Sequence, residues 1–359
     1  MELAFSANTK TYLKEVFHET RYQEETAEII VPDSLPDAAS VSCCHASVHP
    51  REKECRSGSV LISGAVDAGA MYTPDDGTHA RLLEFYIPFT VRFDHADIPD
   101  AAQVAAEIRI CSVDTRMINS RKIMLRANIG CRITVYDADT YTNYELQSAD
   151  ERLQMKRKTI EVCLPTEMAE KTFAVGDSIE FPPSRPPVEQ ICKVQNICEI
   201  IDSKIVGNKA IFKGILHCKL LYRSENNSFY TWSQEFPFSQ YCELQNDYDE
   251  DILTVIPVLA GCDVSTDSTD TASILHLTAN ILVQCIISSA HKMEMIEDAY
   301  CVRGTLQPEW SRQTLPCGLD RKQEQMLLRH SLKGNLREVI DSDIYVGFPS
   351  YRSDTQGID

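Results

Sequence analysis

The residues best suited to chemistry in this sequence form a cysteine–histidine cluster: Cys43, Cys44, His45, His49 and Cys55. Thiolates and imidazoles are zinc ligands, so the spacing has to be tested as a metal site. Adjacent cysteines rarely share one tetrahedral ion without strain, and no second ligand pair follows at the distance found in zinc fingers. We therefore expect free thiols here and no bound metal.

Other catalytic signatures are missing from the sequence. Its 14 glycines form neither a dinucleotide-binding G-x-G-x-x-G nor a P-loop, and no G-x-S-x-G elbow or H-E-x-x-H motif occurs. The neighbouring carboxylates Asp75 and Asp76 lie in a turn-like segment, where a solvated loop is the usual interpretation. We expect a non-enzymatic protein without a cofactor. An enzyme with an unfamiliar site would need a deep pocket with converging titratable groups.

Charge narrows the class of partner. The chain has 359 residues, with 53 Asp and Glu against 35 Lys and Arg, for a formal net charge of −18. Phosphate backbones and anionic membrane surfaces are repelled overall, so we expect no nucleic acid partner and no direct membrane insertion. The N-terminus lacks a signal-peptide pattern, which predicts a cytoplasmic protein whose cysteines are reduced.

An internal repeat organises the sequence. Residues 29–36 align with residues 179–186 at an offset of 150, so that Pro32 meets Pro182. The offset becomes 149 where Pro88 meets Pro237. Such drift is what loop insertions and deletions between fixed strands produce. We interpret the pattern as a duplicated domain.

Apolar alternation identifies the repeated segments as strands. From Phe212 to Tyr222 every second residue is small or apolar, and Lys213 and Lys219 fall on the opposite face. The strand that follows is expected to end at the Pro-Phe pair of each copy. The sequence therefore predicts an all-β fold of tandem duplicated β-sandwich or partly open β-barrel domains, each of about 110 residues.

The predicted organisation has five parts: an N-terminal arm (1–27), a first β domain (28–136), a connecting segment (137–178), a second β domain (179–300) and a C-terminal segment (301–359). The charged centre of the connection, residues 149–158, fits either a short helix or an exposed strand. Residues 329–346 alternate like the opening of a strand pair. The C-terminal segment is thus either an incomplete third repeat or an arm that packs back on the second domain.

Taken in order, these motifs resemble the SPOCS domain of spore-coat morphogenetic proteins in endospore-forming Firmicutes. The resemblance spans roughly residues 20–300 and begins with IVPDSLPD at residues 30–37. The residues that match the family's motifs are Pro32, Asp33, Pro36, Asp37, Gly64, Tyr72, Pro88, Phe89, Pro182, Pro186, Gly214, Tyr222, Pro237 and Phe238. The segment from Pro32 to Asp37 is interpreted as a stiffened strand end, with an exposed docking segment as the alternative.

The resemblance implies a non-enzymatic scaffold in the mother-cell cytoplasm, at the forespore surface and in the spore coat. Its partners would be other spore-coat morphogenetic proteins or further copies of the chain. Family members commonly carry a LysM module, which in the best-described member engages the ATPase of the coat's basement layer. No LysM pattern follows Cys301, so the resemblance leaves binding to that ATPase open.

A carbohydrate-binding β-sandwich is the alternative function. Exposed tryptophan and tyrosine side chains on such a domain could stack on the sugars of cortex or envelope glycans. Only Trp232 and Trp310 are present for this role.

Overall fold

The structure is a computed structural model that describes residues 5–146, 153–249, 251–268, 273–303, 339–349, 353–354 and 357–358, with single positions between 305 and 331. In these residues the regular elements are all strands. The strands are β1 (Phe5–Ile30), β2 (Ala38–Arg56), β3 (Ser59–Pro74), β4 (Arg81–Asp94), β5 (Gln103–Asn119), β6 (Lys122–Leu146), β7 (Leu153–Glu180), β8 (Val188–Ser224), β9 (Phe229–Tyr248), β10 (Ile252–Ser268), β11 (Ser273–Cys301), β12 (Ser353–Asp354) and β13 (Gly357–Ile358). The predicted all-β fold is confirmed. Within these ranges no helix is long and apolar enough to cross a membrane.

The strands form antiparallel sheets that pack in pairs around two hydrophobic cores. Sheet β1-β6-β5 and sheet β2-β3-β4 enclose the first core, and sheet β10-β11-β7 with the β8–β9 pair encloses the second. Core residues alternate along β4 and along the second half of β8, for example Phe212, Leu216 and Tyr222. The result is two β-sandwiches, and their origin by duplication stays a prediction.

Strand β8 folds back on itself. A straight strand of its 37 residues would extend about 120 Å at the usual rise per residue. Yet Glu199 Oε2 lies 3.3 Å from His217 Nε2. The reversal falls near Gly207, which has a φ of +58°, a backbone conformation that glycine adopts without steric cost. The β8–β9 pair therefore has the same hairpin-plus-strand layout as β2-β3-β4.

A glycine lies opposite a phenylalanine at the same place in each sandwich. Gly64 on β3 pairs with Phe89 on β4, and Gly214 on β8 pairs with Phe238 on β9. A Cβ at Gly64 would lie 2.8 Å from Phe89 Cζ, and a Cβ at Gly214 would lie 3.0 Å from Phe238 Cε1. Each would also collide with a backbone carbonyl oxygen of the neighbouring strand. The ring therefore occupies the space that a side chain on the glycine would need.

The expectation that the second strand of each hairpin ends at its Pro-Phe pair is wrong. Strand β4 continues past Pro88 to Asp94, and β9 continues past Pro237 to Tyr248. Both are edge strands in the sheet order. An edge strand has backbone N–H groups without a partner strand, so a residue that lacks an N–H is tolerated there.

The predicted arm and connection are largely strand. Residues 5–27 lie in β1, and β7 begins at Leu153 opposite Cys301 on β11. Residues 153–158 of the charged centre are therefore strand, and residues 149–152 lie outside the described residues. The strand pair expected at residues 329–346 does not form over 339–346, which carry no regular structure; most of 329–338 lies outside the described residues.

A buried glutamine joins the two sandwiches. Gln284 on β11 accepts a hydrogen bond from the Ala106 N–H and donates one to the Ala106 carbonyl, both at 2.8 Å. Ala106 lies on the edge strand β5, so the side-chain amide stands in for the next strand of that sheet. Lys53 contacts the same amide and forms an ion pair with Glu170.

Alanine at either paired glycine should destabilise the protein. We expect Gly64→Ala and Gly214→Ala each to lower the free energy of unfolding by about 2–3 kcal/mol, because the methyl group overpacks the aromatic contact. Gly261→Ala is the matched control, since a Cβ there meets nothing within 4 Å. Urea unfolding measures all three, and equal losses at Gly64 and Gly261 would contradict the steric explanation.

Replacing Gln284 should weaken the junction between the sandwiches. Gln284→Met keeps the length of the side chain but leaves the Ala106 N–H and carbonyl without these partners. We expect a loss of about 2–4 kcal/mol in thermal or urea unfolding. The same substitution at the exposed Gln245 is the control and should change stability by less than about 0.5 kcal/mol.

Candidate functional site

A cleft with a volume of about 490 Å³ lies between the two sandwiches. Strands β2, β3 and β4 form one wall, and β8 and β10 form the other. A small apolar cluster beside it, Met71 with Cys192 and Leu221, holds β3 against β8. Its polar lining includes His45, His49, Asp67, Lys193, Asn196 and Asp263. The cleft is the candidate site because titratable groups from both sandwiches converge there.

Ser47, His49 and Asp67 bring together the side-chain types of a hydrolytic triad. Ser47 Oγ lies 3.2 Å from His49 Nε2, and Asp67 Oδ2 lies 3.7 Å from the same nitrogen. A working triad needs the serine and the carboxylate on opposite ring nitrogens. His49 Nδ1 is buried without a hydrogen-bond partner among the described residues. The arrangement therefore cannot relay a proton from serine through the imidazole to the carboxylate.

Both cleft histidines favour the neutral imidazole. Burial lowers the pKa of His45 to about 4, and the nearby positive charge of Lys193 acts in the same direction. Burial also lowers the pKa of His49, although Asp67 opposes the shift. At neutral pH the cleft thus presents two uncharged imidazole rings.

The cysteine–histidine cluster of the sequence is dispersed along β2. Cys44 Sγ donates to the Val113 carbonyl at 3.9 Å, and Cys55 Sγ donates to the Pro99 carbonyl at 3.6 Å. Burial raises the pKa of Cys43, as it does for Cys44 and Cys55, which favours the thiol. In the part of the chain that the structure describes, no three His, Cys, Asp or Glu side chains are placed to hold one metal ion.

A buried lysine at the cleft binds the C-terminal arm, the name used here for residues 339–349. The Lys193 side chain is only 7% exposed and forms ion pairs with Asp341, at 2.5 Å, and with Asp343. Asp341 also lies 2.5 Å from Lys219. Burial would raise the pKa of Asp341, but the hydrogen bonds from the two lysines outweigh it and hold the pKa below its usual value.

The arm then continues onto the first sandwich. Tyr345 accepts a hydrogen bond from the Ala46 N–H at 3.1 Å, on the edge of β2. Phe348 is buried beneath two guanidinium groups, with Arg109 at 4.1 Å and Arg132 at 4.5 Å from the ring centre. The arm thus contacts both sandwiches. Sequence reasoning did not identify these anchors, although Asp341, Asp343 and Tyr345 lie within the alternating segment that it detected at residues 329–346.

The first motif residues build a corner between β1 and β2. Asp37 accepts hydrogen bonds from Ser120 at 2.8 Å and Arg121 at 2.9 Å, and Asp33 binds the same guanidinium at 2.9 Å. These contacts hold the pKa of Asp37 below its usual value. Tyr72 donates to the carbonyl of Pro36, which closes the corner, while Pro32 begins its turn.

The second copy repeats the corner without the acids. Tyr222 donates to the Pro186 carbonyl at 3.5 Å, and the Arg185 N–H donates to the Pro182 carbonyl at 2.8 Å. Ser273 Oγ accepts a hydrogen bond from the backbone N–H of Val188, which follows this turn, at 3.0 Å. The motif residues of both copies thus lie at structural corners and glycine–phenylalanine contacts, and the structure does not bring them together in the cleft.

Trp232, one of the two tryptophans, provides no exposed sugar-stacking surface. Trp232 is buried, with its ring centre 4.2 Å from that of Phe181. Trp310 lies outside the described residues. Trp232 therefore gives the carbohydrate-binding alternative no support.

Acid should destabilise the fold through His45. Between the ordinary histidine pKa of 6.5 and the folded value of about 4, the unfolded chain binds the proton more readily, so stability falls as the pH falls through this window. We expect His45→Asn to reduce the loss between pH 7 and pH 4.5 by about 2 kcal/mol, measured by urea unfolding. The same substitution at the exposed His18 is the control, and an equal effect there would contradict the role of burial.

Comparison with known proteins gives one match. Residues 187–267 match the family described as SipL, SPOCS domain. The matched segment comprises β8, β9 and nearly all of β10, and it contains Lys193, Gly214 and Phe238. No curated protein and no solved structure matches the chain. The matched part of the second sandwich is therefore similar to the SPOCS domain.

Proposed function

We propose that this protein is a non-enzymatic scaffold in spore-coat morphogenesis and forespore encasement. The observation that carries the proposal is the SPOCS domain at residues 187–267, a family that indicates a sporulation-related role. The scaffold acts in the mother-cell cytoplasm, at the forespore surface. Its partners are other coat morphogenetic proteins and further copies of the chain.

The geometry of the cleft supports a non-enzymatic role. The cleft residues that most resemble a catalytic triad are Ser47, His49 and Asp67, but the serine and the carboxylate both lie next to the same ring nitrogen of His49. The buried charge at the cleft, Lys193, is paired with the arm. Both observations favour a binding role for the cleft over a catalytic one.

The sheet edges favour contacts through side chains. Gln23 donates to the Thr90 carbonyl on β4 at 3.3 Å, and Lys171 donates to the Tyr241 carbonyl on β9 at 2.8 Å. Side chains of this protein therefore occupy backbone acceptors that an added partner strand would use. Partner proteins would bind the faces of the sandwiches instead.

An exposed apolar patch in the SPOCS domain is the best candidate face. Ile197 is 56% exposed and Ile201 is 60% exposed, on the same side of β8. Exposed apolar side chains of this kind mark interaction surfaces. Since the chain carries a net charge of −18, a partner with a basic rim around an apolar centre would fit.

The proposal predicts localisation that depends on this patch. A fluorescent fusion should collect at the forespore, and a sporulation-timed pull-down should recover coat morphogenetic proteins. We expect the double variant Ile197→Ser/Ile201→Ser to lose at least about tenfold in recovered partner, because an apolar contact is removed, while unfolding stays unchanged. Ile118→Ser, at an exposed site on β5, is the matched control.

Two results would refute the proposal. A fusion that stays diffuse in the mother cell throughout sporulation would remove the localisation. A pull-down without coat proteins would remove the scaffold role.

A further inference from the structure

The C-terminal arm lies on the protein as an extended peptide. Asp341, Asp343 and Tyr345 point toward the body, two residues apart, as in an extended chain. Ile344, between two of these anchors, is 81% exposed, and Val346 is also exposed. One side of the arm thus makes the contacts and the other faces outward.

The surface beneath the arm carries four cations and one carboxylate, Glu107, which forms ion pairs with Arg109 and Arg132. We call this surface the arm site, and it consists of Ala46, Arg109, Arg132, Lys193 and Lys219. Its four cations face a segment that carries two carboxylates and two aromatic rings, within a chain of net charge −18. The site is therefore complementary to an acidic, aromatic peptide.

Two features suggest that the arm site is shaped for this occupant. Lys193 is buried, and the ion pairs that the structure gives it are both with the arm. Under Phe348, a Cβ on Gly130 would lie 3.3 Å from the ring, so glycine leaves the room that the ring fills. Tyr22 also donates to the Phe348 carbonyl at 3.4 Å.

The arm is not a strand of any sheet in the described structure. Its contacts run through side chains and through the carbonyls of Ser342 and Phe348. The strands of both sandwiches pair among themselves without it. In the sequence, residues 302–338 separate the end of β11 at Cys301 from the arm. The arm site therefore belongs to the folded body, and any chain with the same segment can fill it.

We propose that the arm site also binds the arm of a second copy of this chain, so that exchanged arms link copies to each other. Every contact made within one copy is reproduced between two, because the contacts involve only the arm and the body. Local concentration then decides which arrangement prevails. The inference deepens the proposed scaffold function by naming a partner and the site that it uses.

Complementation between two variants tests the exchange. The arm variant carries Asp341→Asn and Asp343→Asn, and the site variant carries Lys193→Met and Lys219→Met. In sedimentation velocity over a range of concentrations, the wild-type chain should dimerise. Each variant alone should dimerise with an affinity that is lower by at least about tenfold. Mixed together they should form a heterodimer, since one intact arm and one intact site remain.

A peptide and an outward-facing variant provide the controls. A synthetic peptide of residues 339–349 should bind the arm variant and dissociate the wild-type dimer, and the same peptide with both aspartates changed to asparagine should do neither. Ile344→Ser should dimerise like the wild type, because that side chain faces outward. If the site variant fails to fold, the peptide experiments still decide the question.

The outcomes separate this inference from the proposed function. A wild-type chain that stays monomeric at every concentration, or a peptide that does not bind the arm variant, overturns the exchange. A dimer that forms as expected in a protein whose fusion stays diffuse during sporulation would refute the scaffold role alone.

Discussion

Antiparallel sandwiches end in edge strands, and the outward N–H and carbonyl groups of those strands must be satisfied by something other than another strand. In this protein side chains perform that role. Gln284 satisfies both backbone groups of Ala106 on β5, and Tyr345 satisfies the N–H of Ala46 on β2. Lys171 does the same for a carbonyl on β9. These contacts determine how the sandwiches and the arm fit together.

The junction at Gln284 shows why edge satisfaction also fixes the placement of the sandwiches. The glutamine comes from β11 of the second sandwich, and the groups it satisfies belong to the first. A buried amide that lost these partners would carry the cost of desolvation, so the two sandwiches cannot separate there without a penalty. The cleft with His45 and His49 lies between the walls that such junctions hold together.

The C-terminal arm likewise supplies partners for polar groups of the folded body. Lys193 is a buried cation, and a buried charge is stable only when it is paired. Asp341 and Asp343 supply the pairs. Such anchors are made by side chains on finished surfaces, so they do not depend on which copy of the chain provides the arm.

Local patterns in the sequence predicted the strands that have one buried face, because burial on that face imposes apolar residues at every second position, as from Phe212 to Tyr222. They did not predict β1 or most of β7, which the sequence assigned to an arm and a connecting segment. The paired glycines and phenylalanines were also visible as motifs, although the steric reason for Gly64 and Gly214 required the structure. Tertiary structure alone decided the contacts of Gln284 with Ala106 and of Lys193 with Asp341. Their partners lie well over 100 residues apart, and a contact between such distant side chains leaves no periodic trace in either segment. For the same reason no local pattern marks Gln284, which the fold makes a connection between the two sandwiches.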